Sequence, residues 1–264
     1  MQRPEAAPAR GLMKASPMAG QHRRLLPTAA LQAFVEHFWF VRWDLREQAA
    51  QSVATLPHPS VHMVFEQHRA AEIAGVHTDR FVRVLSGQGA VFGIKFRPGG
   101  FYAFLQRDVH TITNQRLPVA AVFGDIGDAF ASAVAQAHDD AERLQLAEAF
   151  LLARAPQADP ALQQISAIVT AMMSDRGISK VDDLVARFGL AKRQLQRVFL
   201  RHVGVQPKWI IQRYRLHEAL AQLTPNSKPD WARLALDLGY SDQAHFINDF
   251  KSSTGDTPHD YWQK

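Results

Sequence analysis

The sequence predicts an α+β half followed by an all-α domain, and three observations carry that division. Short β-like runs punctuated by turn residues fill the stretch from Leu25 to about Arg97. Helical periodicity takes over after Arg97-Pro98-Gly99-Gly100. Toward the C-terminus, one helix-turn-helix unit is written twice. Strands followed by helices indicate an antiparallel sheet or partial barrel followed by helices, not an alternating parallel sheet.

Taken in order, residues 1 to 24 are rich in Ala, Pro, Arg and Gly without an apolar run, and read as a flexible tail. A secretory signal needs about 7 or more continuous apolar residues, which this segment lacks. Nor does the chain hold the roughly 20 apolar residues of a membrane span, so a cytoplasmic protein is expected. The expected strands are the aromatic-rich run Phe34 to Trp43, then Val61 to Glu66, Phe81 to Leu85 and Val91 to Phe96. Pro57-His58-Pro59-Ser60 and Gly87-Gln88-Gly89 read as the turns between them. Helices are expected over Phe101 to Arg107, Gly127 to Ala137 and Ala141 to Ala153. A short linker at Ala155-Pro156-Gln157-Ala158-Asp159-Pro160 then precedes a helix from Ala161 to Met173. The expected division is a tail over 1–24, a sensor or dimerisation domain over 25–156, and a helical domain over 161–264.

The repeated unit is the most specific feature. Leu184 and Gly189 match Leu234 and Gly239 at an offset of 50, and Leu195, Phe199, Gly204 and Pro207 match Phe246, Phe250, Gly255 and Pro258 at 51. A fixed internal period means one supersecondary element used twice. In the first copy a helix over Val181 to Phe188 stops at Gly189, which can turn left-handed without Cβ strain. A second helix runs from about Ala191 to Val203, with Leu195, Val198, Phe199 and His202 on its apolar face. Gly204 ends it, and Pro207 suits the first turn of the next helix. The second copy repeats the logic, with Ser241 or Asp242 as its N-cap. Such a hairpin places its second helix in the DNA major groove.

Charge separates this unit from an ordinary helical hairpin. Between Leu184 and His217 there is no Asp or Glu, but there are eight cations: Arg187, Lys192, Arg193, Arg197, Arg201, Lys208, Arg213 and Arg215. A solvated face mixes signs, whereas a one-signed run on a helix-turn-helix is a footprint for phosphate. The chain carries 16 basic against 15 acidic residues up to Pro160, and 14 against 10 after it. The net charge of +5 is therefore mostly C-terminal. No cysteine occurs, which removes disulfides, thiol catalysis and thiolate metal sites.

The run GYSDQAHFINDFKSSTGDTPHDY (Gly239 to Tyr261), with LQRVF, GVQP and RYRLHEAL before it, closely resembles the signature of the AraC/XylS family of bacterial transcription regulators. The resemblance covers about Ala161 to Trp262. It implies a seven-helix domain whose two helix-turn-helix units are joined by a long helix, here about Pro207 to Leu223. It also implies that both recognition helices enter successive major-groove segments. The Ada-type repair proteins share this module but need an acceptor cysteine, which is absent. LPHPSVHMVFE (Leu56 to Glu66) and GIKFRPGGFYAFL (Gly93 to Leu105) resemble an uncharacterised sensor domain found beside such modules. In the family such domains bind an effector, form a dimer, or both.

On the first recognition helix Lys192, Arg193, Gln194, Gln196, Arg197 and Arg201 lie off the apolar face. Arg reads guanine and Gln reads adenine bidentately, which favours Arg193, Gln196 and Arg197 as base readers. Lys192 and Arg201 suit phosphate, which positions without specifying. On the second helix Gln243, His245, Asn248 and Lys251 are the candidates. Two departures from the family stand out. Asn248 replaces a frequent Arg and is followed by Asp249, which phosphate would repel, and Ala191 replaces the usual Ser cap. Both suggest that the first unit supplies most of the affinity. Arg215 and Asp242 have a structural alternative, an ion pair locking the two units together.

The N-terminal half offers weaker signals. His58 and His62, with His68 and His77 further on, invite a metal reading, but without further ligands packing or surface roles are the simpler account. No metal or other cofactor is expected. Trp39, Trp43, His58, His62, Phe65, Phe92 and Phe96 would line an effector pocket if one exists, and are otherwise core. No G-x-S-x-G, H-E-x-x-H, Walker A or G-x-G-x-x-G pattern occurs, so nothing argues for an enzyme. The reading is a transcription regulator whose partners are an operator DNA, an effector, a second copy of the chain and, for an activator, RNA polymerase, with no membrane. The competing classes are a metal- or small-molecule-dependent enzyme docked on DNA, and a constitutive architectural protein.

Overall fold

The computed structural model describes residues 4–6, 22–156, 159–223 and 229–263. Most of the expected tail lies outside the described residues, as do Gln157 and Ala158 of the expected linker. The end of that tail needs correcting. His22–Leu25 forms a strand, β1, and Glu5 bridges back to Leu25.

The N-terminal half contains β1, β2 (Val35–Leu45), β3 (Gln51–Thr55), β4 (His62–Glu66), β5 (Glu72–Ala74), β6 (Phe81–Leu85), β7 (Gly87–Phe96) and β8 (Arg116–Pro118). Six strands form one open antiparallel sheet in the order β1-β2-β7-β4-β5-β8, and β3 pairs with β6 in a separate ribbon. The sheet does not close into a barrel. The long pair β2–β7 alternates about its register. Phe38 and Phe40 of β2, Met63 and Phe65 of β4, and Phe92, Ile94 and Phe96 of β7 enter the main core. Trp39, Val41, Trp43 and Leu45 point to the opposite face, where Val53 and Leu85 of the ribbon partly cover them.

Gly87-Gln88-Gly89 is not a turn but the first part of β7. Gly89 pairs with Trp43 and Gly93 with Trp39. A Cβ at either glycine would overlap the facing indole, so each glycine makes room for a Trp lying across the sheet.

The helices following the sheet are α1 (Tyr102–Leu105), α2 (Ala120–Phe123), α3 (Asp125–Gln136) and α4 (Asp140–Leu152). The helix expected over Phe101 to Arg107 is cut short because Gln106 turns left-handed at φ 54°, and a 3-10 turn over Val109–Ile112 follows. Phe130 of α3 and Phe150 of α4 stack at 4.0 Å over Phe65. Asp139 caps α4 by accepting from the Glu142 amide at 2.8 Å.

Seven helices follow among the described residues: α5 (Pro160–Ser174), α6 (Val181–Phe188), α7 (Lys192–His202), α8 (Pro207–Gln222), α9 (Trp231–Asp237), α10 (Gln243–Thr254) and α11 (Pro258–Gln263). Pro160, Pro207 and Pro258 each open a helix, where the missing N–H has no partner to lose. The main core runs without a break from the sheet through Leu162, Ile165 and Ile168 of α5 into Leu195, Phe199, Ile210 and Ile211. A second cluster, with Leu216, Leu234, Phe246, Phe250 and Tyr261, holds the last three helices on α8. No described helix is long and apolar enough to cross a membrane.

Candidate nucleic-acid interface

The first unit is α6-turn-α7. The Asp183 carboxylate accepts from the Ser179 and Lys180 amides at 2.9 Å each, which satisfies N–H groups at the start of α6. That bonding holds the Asp183 carboxyl below its ordinary value, against the opposing effect of desolvation. The helix ends where Gly189 adopts φ 64°, a conformation that strains any residue with a Cβ. Ala191 is the N-cap of α7 and offers no side-chain acceptor. Leu195 and Phe199 bury one face of α7, leaving Lys192, Arg193, Gln194, Arg197 and Arg201 exposed and Gln196 half-buried.

The eight-cation run separates into three groups. Arg213 and Arg215 are buried. Arg187, Lys192 and Arg201 meet acids from outside the run. Arg187 pairs with Asp175, Lys192 Nζ lies 2.9 Å from Asp182 Oδ1, and Arg201 Nε lies 3.6 Å from Asp108 Oδ1. Arg193, Arg197 and Lys208 are exposed, and no described acid pairs with them. Arg193 and Arg197 stand one turn apart on one surface of α7.

The suggested Arg215–Asp242 pair does not form. Arg215 donates to the carbonyls of Asp175 at 2.9 Å and Ile178 at 2.7 Å, and to Glu218 at 3.2 Å. It clasps the loop between α5 and α6, because a guanidinium can serve several acceptors at once. Asp242 instead caps α10, accepting from the His245 amide at 2.8 Å.

The second unit is α9-turn-α10. Gln243, His245, Asn248 and Lys251 are exposed on α10, while Phe246 and Phe250 are fully buried. Asp249 has a partner in the turn before the helix, Tyr240. Asp249 is half-buried and accepts from the Tyr240 hydroxyl at 2.7 Å. Burial, then the Asp249 charge, pushes the Tyr240 phenol well above its usual range. Burial also lowers the Arg213 guanidinium, against the pull of the Asp249 charge. The Tyr240–Asp249 bond ties the turn before α10 to the helix itself, and Arg213 of α8 donates to the Thr78 carbonyl at 3.4 Å.

The seven expected pocket residues are not brought together. Phe65, Phe92 and Phe96 belong to the main core, and Trp39 and Trp43 lie on the opposite face of the sheet. Trp43 lines a rim cleft of about 180 Å³ with Glu66, Arg69 and Arg83. Its ring is already occupied, since Gly89 lies against it and the Arg83 guanidinium stands 5.8 Å from its centre. His62 pairs with Lys95 across β4–β7 and stacks edge-on with Trp39 at 6.2 Å. Burial, and then the nearby Lys95 ammonium, push the His62 imidazole down to about 3. His58 lies elsewhere, 4.4 Å from the His217 ring of α8. Among the described residues no group of three or more His, Asp or Glu is arranged to hold a metal ion.

Residues 184–264 match a family model described as a helix-turn-helix domain, and residues 23–118 match a domain of unknown function (DUF6597). No curated protein matches the sequence. Three similar solved structures are all bacterial. An AraC-type regulator from Chromobacterium violaceum is 22% identical, with a TM-score of 0.35 over 38% of this chain and 90% of its own. A probable AraC family regulator from Rhodopseudomonas palustris is 25% identical, with a TM-score of 0.33 over 40% and 96%. ToxT from Vibrio cholerae is 11% identical, with a TM-score of 0.37 over 86% and 97%. The family match and the two helical hairpins make the C-terminal part a helix-turn-helix domain, a DNA-binding type of unit.

Proposed function

We propose that α7 reads the operator through Arg193, Gln196 and Arg197, with Gln194 beside them, and that α10 adds contacts through Gln243, His245, Asn248 and Lys251. The observation that carries this reading is the pair Arg193 and Arg197, exposed on a helix fixed by a buried face and facing no described acid. Lys192 and Arg201 play a smaller part, because phosphate must compete with Asp182 and with Tyr102 and Asp108 for them. The N-terminal half, about residues 25–156, regulates this binding by taking an effector or by pairing with a second copy. The protein works as a regulator and not as a catalyst, in the cytoplasm where its DNA lies.

Selection from a random-sequence DNA pool with the full-length protein tests the reading. The expected result is a motif of two boxes about one helical turn apart. Binding to it should weaken steeply with salt, because about 0.9 counterions leave per phosphate neutralised. A pool that yields no motif, or an isotherm unmoved by salt, would sink the proposal.

A further inference from the structure

The N-terminal half grips both helix-turn-helix units, and at the second unit it supplies part of the core. Leu56, the residue after β3, is 1% exposed and belongs to the same apolar cluster as Leu216, Leu234, Phe246 and Phe250. One residue on, the Pro57 carbonyl lies 3.2 Å from His217 Nε2, and His58 packs on the His217 ring. From the segment before β6, Arg80 Nη1 donates to the Thr254 carbonyl at 2.5 Å, at the C-terminal end of α10. That end leaves carbonyls without helical partners, so a guanidinium there serves as a C-cap delivered from another part of the chain.

The first unit is held separately. Arg201 Nε donates to the Tyr102 hydroxyl at 2.7 Å, and the Tyr102 and His202 rings meet at 4.1 Å. Thr113 Oγ1 donates to the Gly204 carbonyl at 2.8 Å. The second recognition helix is therefore held by the segments flanking the β3–β6 ribbon, and the first by α1 and the segment after the 3-10 turn, in addition to α8.

We propose that the N-terminal half is a brace that completes the second helix-turn-helix unit and fixes its register against the first, with Leu56 and Arg80 as its positioning residues. The brace rests on the two-unit DNA reading for its functional consequence, but not for its existence. Without Leu56 and Arg80, the second unit loses a buried side chain and a cap while α6 and α7 keep all of their own supports. The distance and angle between the two recognition helices then become variable. A regulator with a fixed separation accepts one spacing between boxes, and a loosened one accepts several.

Full-length Arg80→Ala and Leu56→Ala proteins test this in two ways. The first measurement is native-state amide exchange over residues 231–263. Loss of one hydrogen bond should speed exchange there about fivefold in Arg80→Ala. Loss of a buried leucine should speed it about 30-fold or more in Leu56→Ala. Residues 181–203 should not change. The second measurement is binding to operators whose boxes are moved apart or together by single base pairs. Wild type should bind one spacing, and Arg80→Ala should lose much of that discrimination. Unchanged exchange over 231–263 in both variants would refute the brace, and so would an Arg80→Ala protein with loosened exchange but wild-type spacing preference. Failure of the wild-type protein to select any DNA would count against the DNA reading alone, and exchange would still judge the brace.

Discussion

Arg197 and Arg201 stand one turn apart on α7 and end in different surroundings. Arg197 faces no described acid, whereas Arg201 is bonded to Tyr102 and lies near Asp108. Replacing Arg197 by Ala should therefore flatten sequence preference, with a loss of about 1–3 kcal/mol at the preferred operator. Binding to a panel of single-base operator variants checks this, and an unchanged preference would mean that another face reads the bases. His62 supports a prediction of a different kind. Its folded-state pKa is depressed to about 3 from 6.5, so folding favours the neutral ring. The unfolded chain then binds more protons between those values, so stability rises with pH across that window. The His62 contribution is complete above about pH 6.5 and is lost as the pH falls toward 3. Urea unfolding between pH 7 and 4 should show a smaller loss of stability in His62→Gln than in wild type. Equal slopes would show that other groups govern the acid limb.

Among the elements, the two hairpins use the same stops but different starts. Gly189 and Gly239, and likewise Gly204 and Gly255, all take positive φ at equivalent places. The N-caps differ, since Asp242 bonds the α10 backbone and Ala191 gives α7 nothing. Ala191→Ser should add about 1 kcal/mol of stability. In a protein of this size that corresponds to a melting temperature higher by about 2 to 4 °C. Calorimetry showing no gain would mean that the α7 N-terminus is already satisfied by another partner. These helix ends were legible because glycine, proline and acidic caps act through local backbone geometry. The expected Val181 to Phe188 helix matches α6 residue for residue, and α5, α7 and α8 fall within one or two residues of expectation. The short strands β1, β3, β5 and β8 were not legible. Each has five residues or fewer and takes its conformation from the strand it pairs with, which for β3 and β8 is remote in sequence.

At the scale of the whole molecule, the sequence by itself determined the class of protein. Its repeated unit, its one-signed stretch and its helix stops are local patterns, and local patterns dictate helices, turns and net charge. It could not say which of the eight cations stay free, because the acids that meet Arg187, Lys192 and Arg201 lie outside the run and arrive only through folding. For the same reason Asp249 read only as a charge beside the groove, although the Tyr240 hydroxyl of the preceding turn donates to it. The aromatic residues of the sheet likewise suggested one pocket, but alternation along the strands sends Phe65, Phe92 and Phe96 to one face and Trp39 and Trp43 to the other. The placement of Leu56 in the core of the second hairpin is the clearest case of what only the tertiary structure decided. Nothing local ties residue 56 to residue 250. Burial is a property of the closed surface that the whole chain makes, so the dependence of the DNA-binding units on the N-terminal half appears only once that surface exists.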